Sequence, residues 1–102
     1  PDCHPSAYLI ANDLLALGFM DYCGSNGIRI PQDISIVSFD NIAYSHLNQI
    51  QLTTVSQHVE EMSSSAANLM YQLLTEPPKE PKRIIIEPTL IVRNTTAPYQ
   101  GI

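Results

Sequence analysis

Apolar residues along this chain fall into short runs, and three of these close on a hydrogen-bonding side chain. Tyr8-Leu9-Ile10-Ala11 runs into Asn12-Asp13, Ile34 to Phe39 runs into Asp40-Asn41, and Leu52 to Ser56 runs into Gln57. Each run has strand length and polar flanks, so each predicts a strand. The run 34–39 is apolar on both faces and rich in β-branched residues, the pattern of a strand buried between helix layers. Further on, Arg83-Ile84-Ile85-Ile86-Glu87 predicts another strand, and Leu90-Ile91-Val92-Arg93 resumes as one after Pro88.

Between the strands the spacing becomes helical. Asn12 or Asp13 suits a helix N-cap. The stretch Leu14 to Met20 continues as a helix that is apolar nearly all round, which places it in a core or a subunit interface. Gly24, Asn26 and Gly27 stop it. Tyr44, Leu47 and Ile50 recur every three residues and allow a short helix over 41–51. Val59, Met62, Ala66, Leu69, Met70, Leu73 and Leu74 form one face of an amphipathic helix of about five turns, ended by Pro77-Pro78. Glu60 and Glu61 in its first turn complement the helix dipole. Residues 97–102 read as a loose tail.

The resulting order, β-α-β-(α)-β-α-β-β, predicts an α/β fold with a parallel, helix-covered sheet. Parallel sheets bind ligands just beyond the carboxyl ends of their strands. Asn12, Asp40 and Gln57 stand at three such ends, so they are the candidate site for a polar small molecule. A carboxylate only accepts hydrogen bonds, which suits Asp40 to a ligand hydroxyl or ring N–H. Asn12 and Gln57 both donate and accept, which suits vicinal hydroxyls. Each position also has a plainer role: Asn12 as a helix cap, Asp40-Asn41 as a turn, Gln57 as a helix start.

Composition narrows the choice of partner. The 102 residues carry a net charge of -5, and Arg29, Lys79, Lys82, Arg83 and Arg93 are the only basic residues. They are too few and too scattered to make a nucleic-acid footprint. Cys3 and Cys23 show no CxxC and no metal-ligand spacing, so they read as reduced thiols, and no metal or cofactor is expected. No run approaches the ~20 apolar residues that span a membrane. His4, His46 and His58 lack a catalytic motif, and no nucleophile elbow or phosphate loop is present, so the chain does not read as an enzyme. An opening at Pro1, with neither initiator Met nor signal peptide, suggests a piece of a longer protein.

Four blocks together resemble one family. Ala11-Asn12-Asp13-Leu14-Leu15-Ala16-Leu17-Gly18 is similar to the "ANDxxAxG" segment of the LacI/GalR transcriptional regulators. Arg29 to Asn41 is similar to their "RVPxDxSVVGFDD", Leu52 to Gln57 to "LTTVxQ", and Leu90 to Ala97 to the closing "LVxRxSTA". The blocks keep the family's order and cover nearly the whole chain. Ser38 departs from the usual Gly, which is expected to crowd the cleft entrance, Asn41 stands where Asp is common, and Asn94 where a long polar or acidic side chain is usual.

The resemblance implies the C-terminal part of an effector-binding domain with two Rossmann-like lobes, of the kind also seen in periplasmic sugar-binding proteins. It assigns residues 1–54 and 89–96 to the C-terminal lobe and 57–87 to the N-terminal lobe. It implies a sugar or related small molecule as effector, touched by Asp40, Asn12 and Gln57. It also implies a cytoplasmic homodimer or higher oligomer, with Leu14, Leu15, Leu17, Met20, Tyr44 and Leu47 at the interface. DNA would be bound only through an upstream domain absent from this chain. A periplasmic transport protein of the same fold is the alternative. Either way, the stripe on the 58–75 helix needs cover, from a partner chain, from intramolecular refolding or from upstream residues.

Overall fold

The computed structural model describes residues 4–101; Cys3 therefore lies outside the described residues. The elements run β1 (Ala7–Leu9), α1 (Asp13–Ser25), β2 (Ser35–Asp40), a 3₁₀ turn (Ala43–His46), β3 (Thr54–Ser56), α2 (Val59–Thr75) and β4 (Thr89–Ile91). The strands form one sheet in sequence order, β1-β2-β3-β4. β1 pairs with β2 and β2 with β3, both parallel, with Leu9 opposite Val37 and Asp40 opposite Ser56.

The sheet is mostly parallel, as expected, with one exception at its edge. β4 runs antiparallel to β3, with Leu90 opposite Val55. The chain leaves the end of β3, runs through α2 and re-enters at that same end of the sheet, with Thr89 opposite Ser56. Beyond β4, Thr95 takes the place next to β2 that short β3 leaves open. The Thr95 carbonyl accepts the Ile36 N–H at 2.9 Å, and the Thr95 hydroxyl donates to the Ile36 carbonyl at 2.8 Å and accepts the Thr53 N–H at 2.9 Å.

The predicted strand at 83–87 does not form; residues 81–88 are irregular. Isolated strand backbone needs a neighbour for its amides and carbonyls. None of the described strands lies beside this segment, so its β-branched composition alone cannot make it a strand.

The core sits on one face of the sheet. Ala16 and Cys23 of α1 pack with Ile34, Ile36 and Leu52, and Tyr8, Phe19, Met20 and Ile28 complete the cluster. Burial pushes the Cys23 thiol above its ordinary pKa, so it stays protonated. α1 ends as expected: Gly27 takes φ +71°, and the Ile28 N–H returns to the Cys23 carbonyl at 2.9 Å, the six-to-one bond of a Schellman ending. Of α1, expected in a core or a subunit interface, only one face lies in a core within this chain. Its inner face is buried, while Leu14 and Leu15 face outward and are exposed, because only one sheet lies against it.

Ser38 also departs from expectation. It does not crowd a cleft entrance. It alternates with Ile36 onto the inner face, is fully buried, and its hydroxyl has no hydrogen-bond partner. The other sheet face carries Leu9, Val37, Phe39, Val55 and Leu90, and of these Leu9, Phe39 and Leu90 are exposed.

α2 stands apart from this core. None of its residues is buried, and the molecule extends 61 Å along its long axis against 24 and 21 Å across. Its apolar stripe forms as the spacing predicts, but it has no sheet to cover.

Candidate functional site

Parallel pairing brings the C-terminal ends of β1, β2 and β3 to one end of the sheet. β2 terminates at Asp40 with φ 120°, followed by Asn41 with φ 56°. Non-glycine residues hold such conformations only where the surroundings impose them. Because Asp40 sits opposite Ser56, Gln57 follows directly beside it. The Gln57 Nε2 donates to Asp40 Oδ1 at 2.7 Å. Both side chains are half-buried, and the second carboxylate oxygen of Asp40 accepts no hydrogen bond among the described residues.

Asn12, at the end of β1, caps α1: its Oδ1 accepts the Leu15 N–H at 2.9 Å. Its plainer role is thus real, and its Nδ2 makes no bond among the described residues. Asp40 and Gln57 are joined directly, while Asn12 bonds to neither.

Behind this edge lies a polar network. Asp13 is wholly buried. Its Oδ2 accepts from the Ser45 hydroxyl at 2.6 Å and the Ile42 N–H at 3.0 Å, and its Oδ1 from the Thr54 hydroxyl at 2.6 Å. Burial pushes this carboxyl up, but the Ser45 and Thr54 hydroxyls and the Ile42 amide together outweigh it, so Asp13 is held below the ordinary carboxylate range. The Ser38 hydroxyl lies beside the same carboxylate, outside hydrogen-bond geometry.

Arg93, just past β4, ties the turn from the other side. Its Nη2 donates to Asn41 Oδ1 at 2.8 Å and its Nη1 to the Leu52 carbonyl at 2.9 Å. At the other end of β4, His58 Nε2 and Thr89 Oγ1 lie 2.7 Å apart and clasp the end of β3 to the start of β4. No cluster of three or more His, Cys, Asp or Glu able to hold a metal occurs among the described residues. A concavity lies at the opposite end of the sheet, lined by Tyr8, Phe19, Tyr22, Ile28 and Pro31, and carries none of the three strand-end residues.

Residues 1–96 match the periplasmic-binding-protein-like domain. The chain belongs to this family. It is similar to the HTH-type transcriptional repressor PurR of Histophilus somni (strain 129Pt), 35% identical over 91 residues that make up 89% of this chain and 27% of that protein. The arabinose metabolism transcriptional repressor of Geobacillus stearothermophilus is 34% identical over 93 residues, 90% of this chain and 26% of that protein. Among solved structures, a LacI family transcriptional regulator from Enterococcus faecium with bound ribose superposes with a TM-score of 0.88 at 29% identity, over 97% of this chain and 37% of that one. The chain spans about a quarter of the length of these curated relatives.

As part of a periplasmic-binding-protein-like domain, the polar end of the sheet has more members than sequence reasoning picked out. Asp13, Ser45 and Thr54 were missed. Asp13 read as half of a capping pair, and the exposed Leu14 and Leu15 that follow it give no local sign of its burial. Arg93 stood only within a matching block. Its role depends on β4 folding back beside β3, which no local pattern announces.

Proposed function

We propose that this chain is part of the effector-sensing domain of a LacI/GalR-type transcriptional regulator, and that its effector is a neutral, hydroxyl-rich small molecule such as a sugar. The observation that carries this reading is the Asp40–Gln57 pair at the parallel strand ends. Gln57 occupies one oxygen of Asp40 and leaves the other, together with its own Oε1, as acceptors for ligand hydroxyls. The nearby Arg93 is committed to Asn41 and to a backbone carbonyl. Arg93 is therefore not available to offset the Asp40 charge toward an acidic effector. The repressor names of the relatives favour regulation over transport.

In this reading residues 1–54 and 89–96 belong to one lobe and 57–87 to the second, with Gln57 and Thr89 near the crossings between them. The absence of any buried residue in α2 supports that division. Effector binding shifts the population between two lobe arrangements, and so alters DNA affinity through a headpiece outside this chain. The protein acts in the cytoplasm as a homodimer or higher oligomer. The Asp13–Ser45 bond sets the start of α1 beside the 43–46 turn, which groups Leu14 and Leu15 with Tyr44 and Leu47. All four are exposed, and we assign them to the dimer surface. Leu17 and Met20 are half-buried, and Met20 also packs on the core.

The test is calorimetry on the intact protein with D-ribose, D-xylulose and cellobiose, sugars carried by solved relatives. The sugar that binds is then titrated into Asp40→Ala. Loss of a charge-assisted bond predicts at least about a tenfold weaker Kd. An unchanged Kd removes Asp40 from the site.

A further inference from the structure

Directly behind the Asp40 turn lies a carboxylate shut off from solvent. Asp13, at the start of α1, is 0% exposed. It receives the Ile42 amide and the Ser45 hydroxyl from the segment after β2, and the Thr54 hydroxyl from β3. The same Thr54 Oγ1 accepts the Asn41 N–H at 3.3 Å. The two amides that follow Asp40 are therefore fixed to Asp13, one directly and one through Thr54.

This arrangement explains a feature of the turn. Asp40 and Asn41 both take positive φ, 120° and 56°, with no glycine to make it cheap. Such backbone persists only where its surroundings over-determine it. A desolvated, ionised carboxylate demands its donors, because leaving it unpaired is costly. Arg93 holds only the side chain of Asn41, whereas Asp13 holds the main chain.

We propose that Asp13 is a positioning residue for the effector site: its carboxylate holds the Asp40–Asn41 turn in its left-handed conformation and so aims the Asp40–Gln57 pair. The consequence for effector binding rests on the function proposed above; the hold on the turn does not.

Amide exchange on the intact protein tests the hold. In Asp13→Asn, protection at Ile42 falls about tenfold or more, the loss expected for a hydrogen bond to a charged acceptor, and protection at Asn41 falls with it because the Thr54 hydroxyl that accepts its N–H loses its own anchor. Ile36 and Ser38, whose amides pair with Thr95 and Thr53, keep theirs. Thr54→Val loosens Asn41 in the same way while removing only one hydroxyl, and it stands in if Asp13→Asn does not fold. In the wild type the same local loosening appears only as pH falls below the ordinary carboxylate range, because a lowered folded pKa keeps the contribution in place until then.

The sugar that binds the wild type is also titrated into Asp13→Asn, with a Kd weakened about tenfold as the expected result. Unchanged protection at Asn41 and Ile42 overturns the proposal, as does an even loss across β2. Local loosening beside an Asp40→Ala variant that binds sugar normally leaves the hold on the turn intact and overturns the function proposed above.

Discussion

Asn12 has two hydrogen-bonding ends, and the fold uses one of them. Its Oδ1 caps α1, while Nδ2 makes no hydrogen bond among the described residues, near the end of the sheet where Asp40 and Gln57 meet. The two roles are separable by substitution. Serine caps a helix about as well as asparagine but has no amide to offer a ligand. Asn12→Ser should therefore keep the melting temperature and weaken binding of the sugar identified by calorimetry. Asn12→Ala should lose about 1 kcal/mol of stability as well. If Asn12→Ser binds normally, Asn12 is a cap alone. Asp13 shows the reverse case, a residue whose sequence neighbours say cap and whose three donors come from distant parts of the chain. Its partners lie 29 to 41 positions away, at Ile42, Ser45 and Thr54, and no spacing rule reaches that far.

At the scale of elements, what was legible depended on whether an element's signal was local. α1 is the clearest case, since Asn12 starts it and Gly27 ends it through interactions within a few residues. Gly27 is a clean test because a Cβ built there meets nothing within 4 Å, so only its φ of +71° opposes a side chain. Gly27→Ala should therefore cost about 1 kcal/mol, and Gly27→Asn less, as read by denaturant unfolding of the intact protein. An equal cost for both would mean that the ending is not set by the left-handed backbone. β1, β2 and β3 were legible for the same local reason, as was the apolar stripe of α2. The segment 83–87 has a stronger strand composition than β3, yet β3 pairs on both sides and 83–87 on neither. Pairing is a tertiary property, and so is the direction of β4. The strand-end residues were found because strand ends are local, whereas Arg93 reaches the Asn41 turn only once β4 has folded beside β3.

For the molecule as a whole, two apolar faces lie open at once. Val59, Met62, Met70, Leu73 and Leu74 line α2 without a buried neighbour, and Leu9, Phe39 and Leu90 lie on the uncovered side of the sheet. Contiguous apolar surface beyond a few hundred Å² is rare on soluble monomers and draws partners or copies together. The 102 residues on their own should therefore self-associate, with sedimentation coefficients that rise with concentration. The two faces make separable contributions. Met70→Glu with Leu73→Glu places charge on the α2 stripe about three to four turns from Val59, without touching the core around Ile36, and should shift the population toward monomer while the sheet remains folded. Phe39→Lys would do so by placing charge on the other face, but at the risk of disturbing the Asp40 turn next to it, so the α2 pair is the cleaner probe. A monodisperse, folded monomer at all concentrations would mean that α2 closes back on the open sheet in solution. That would also remove the main support for placing 57–87 in a second lobe, because the same stripe cannot both cover its own sheet and serve another core.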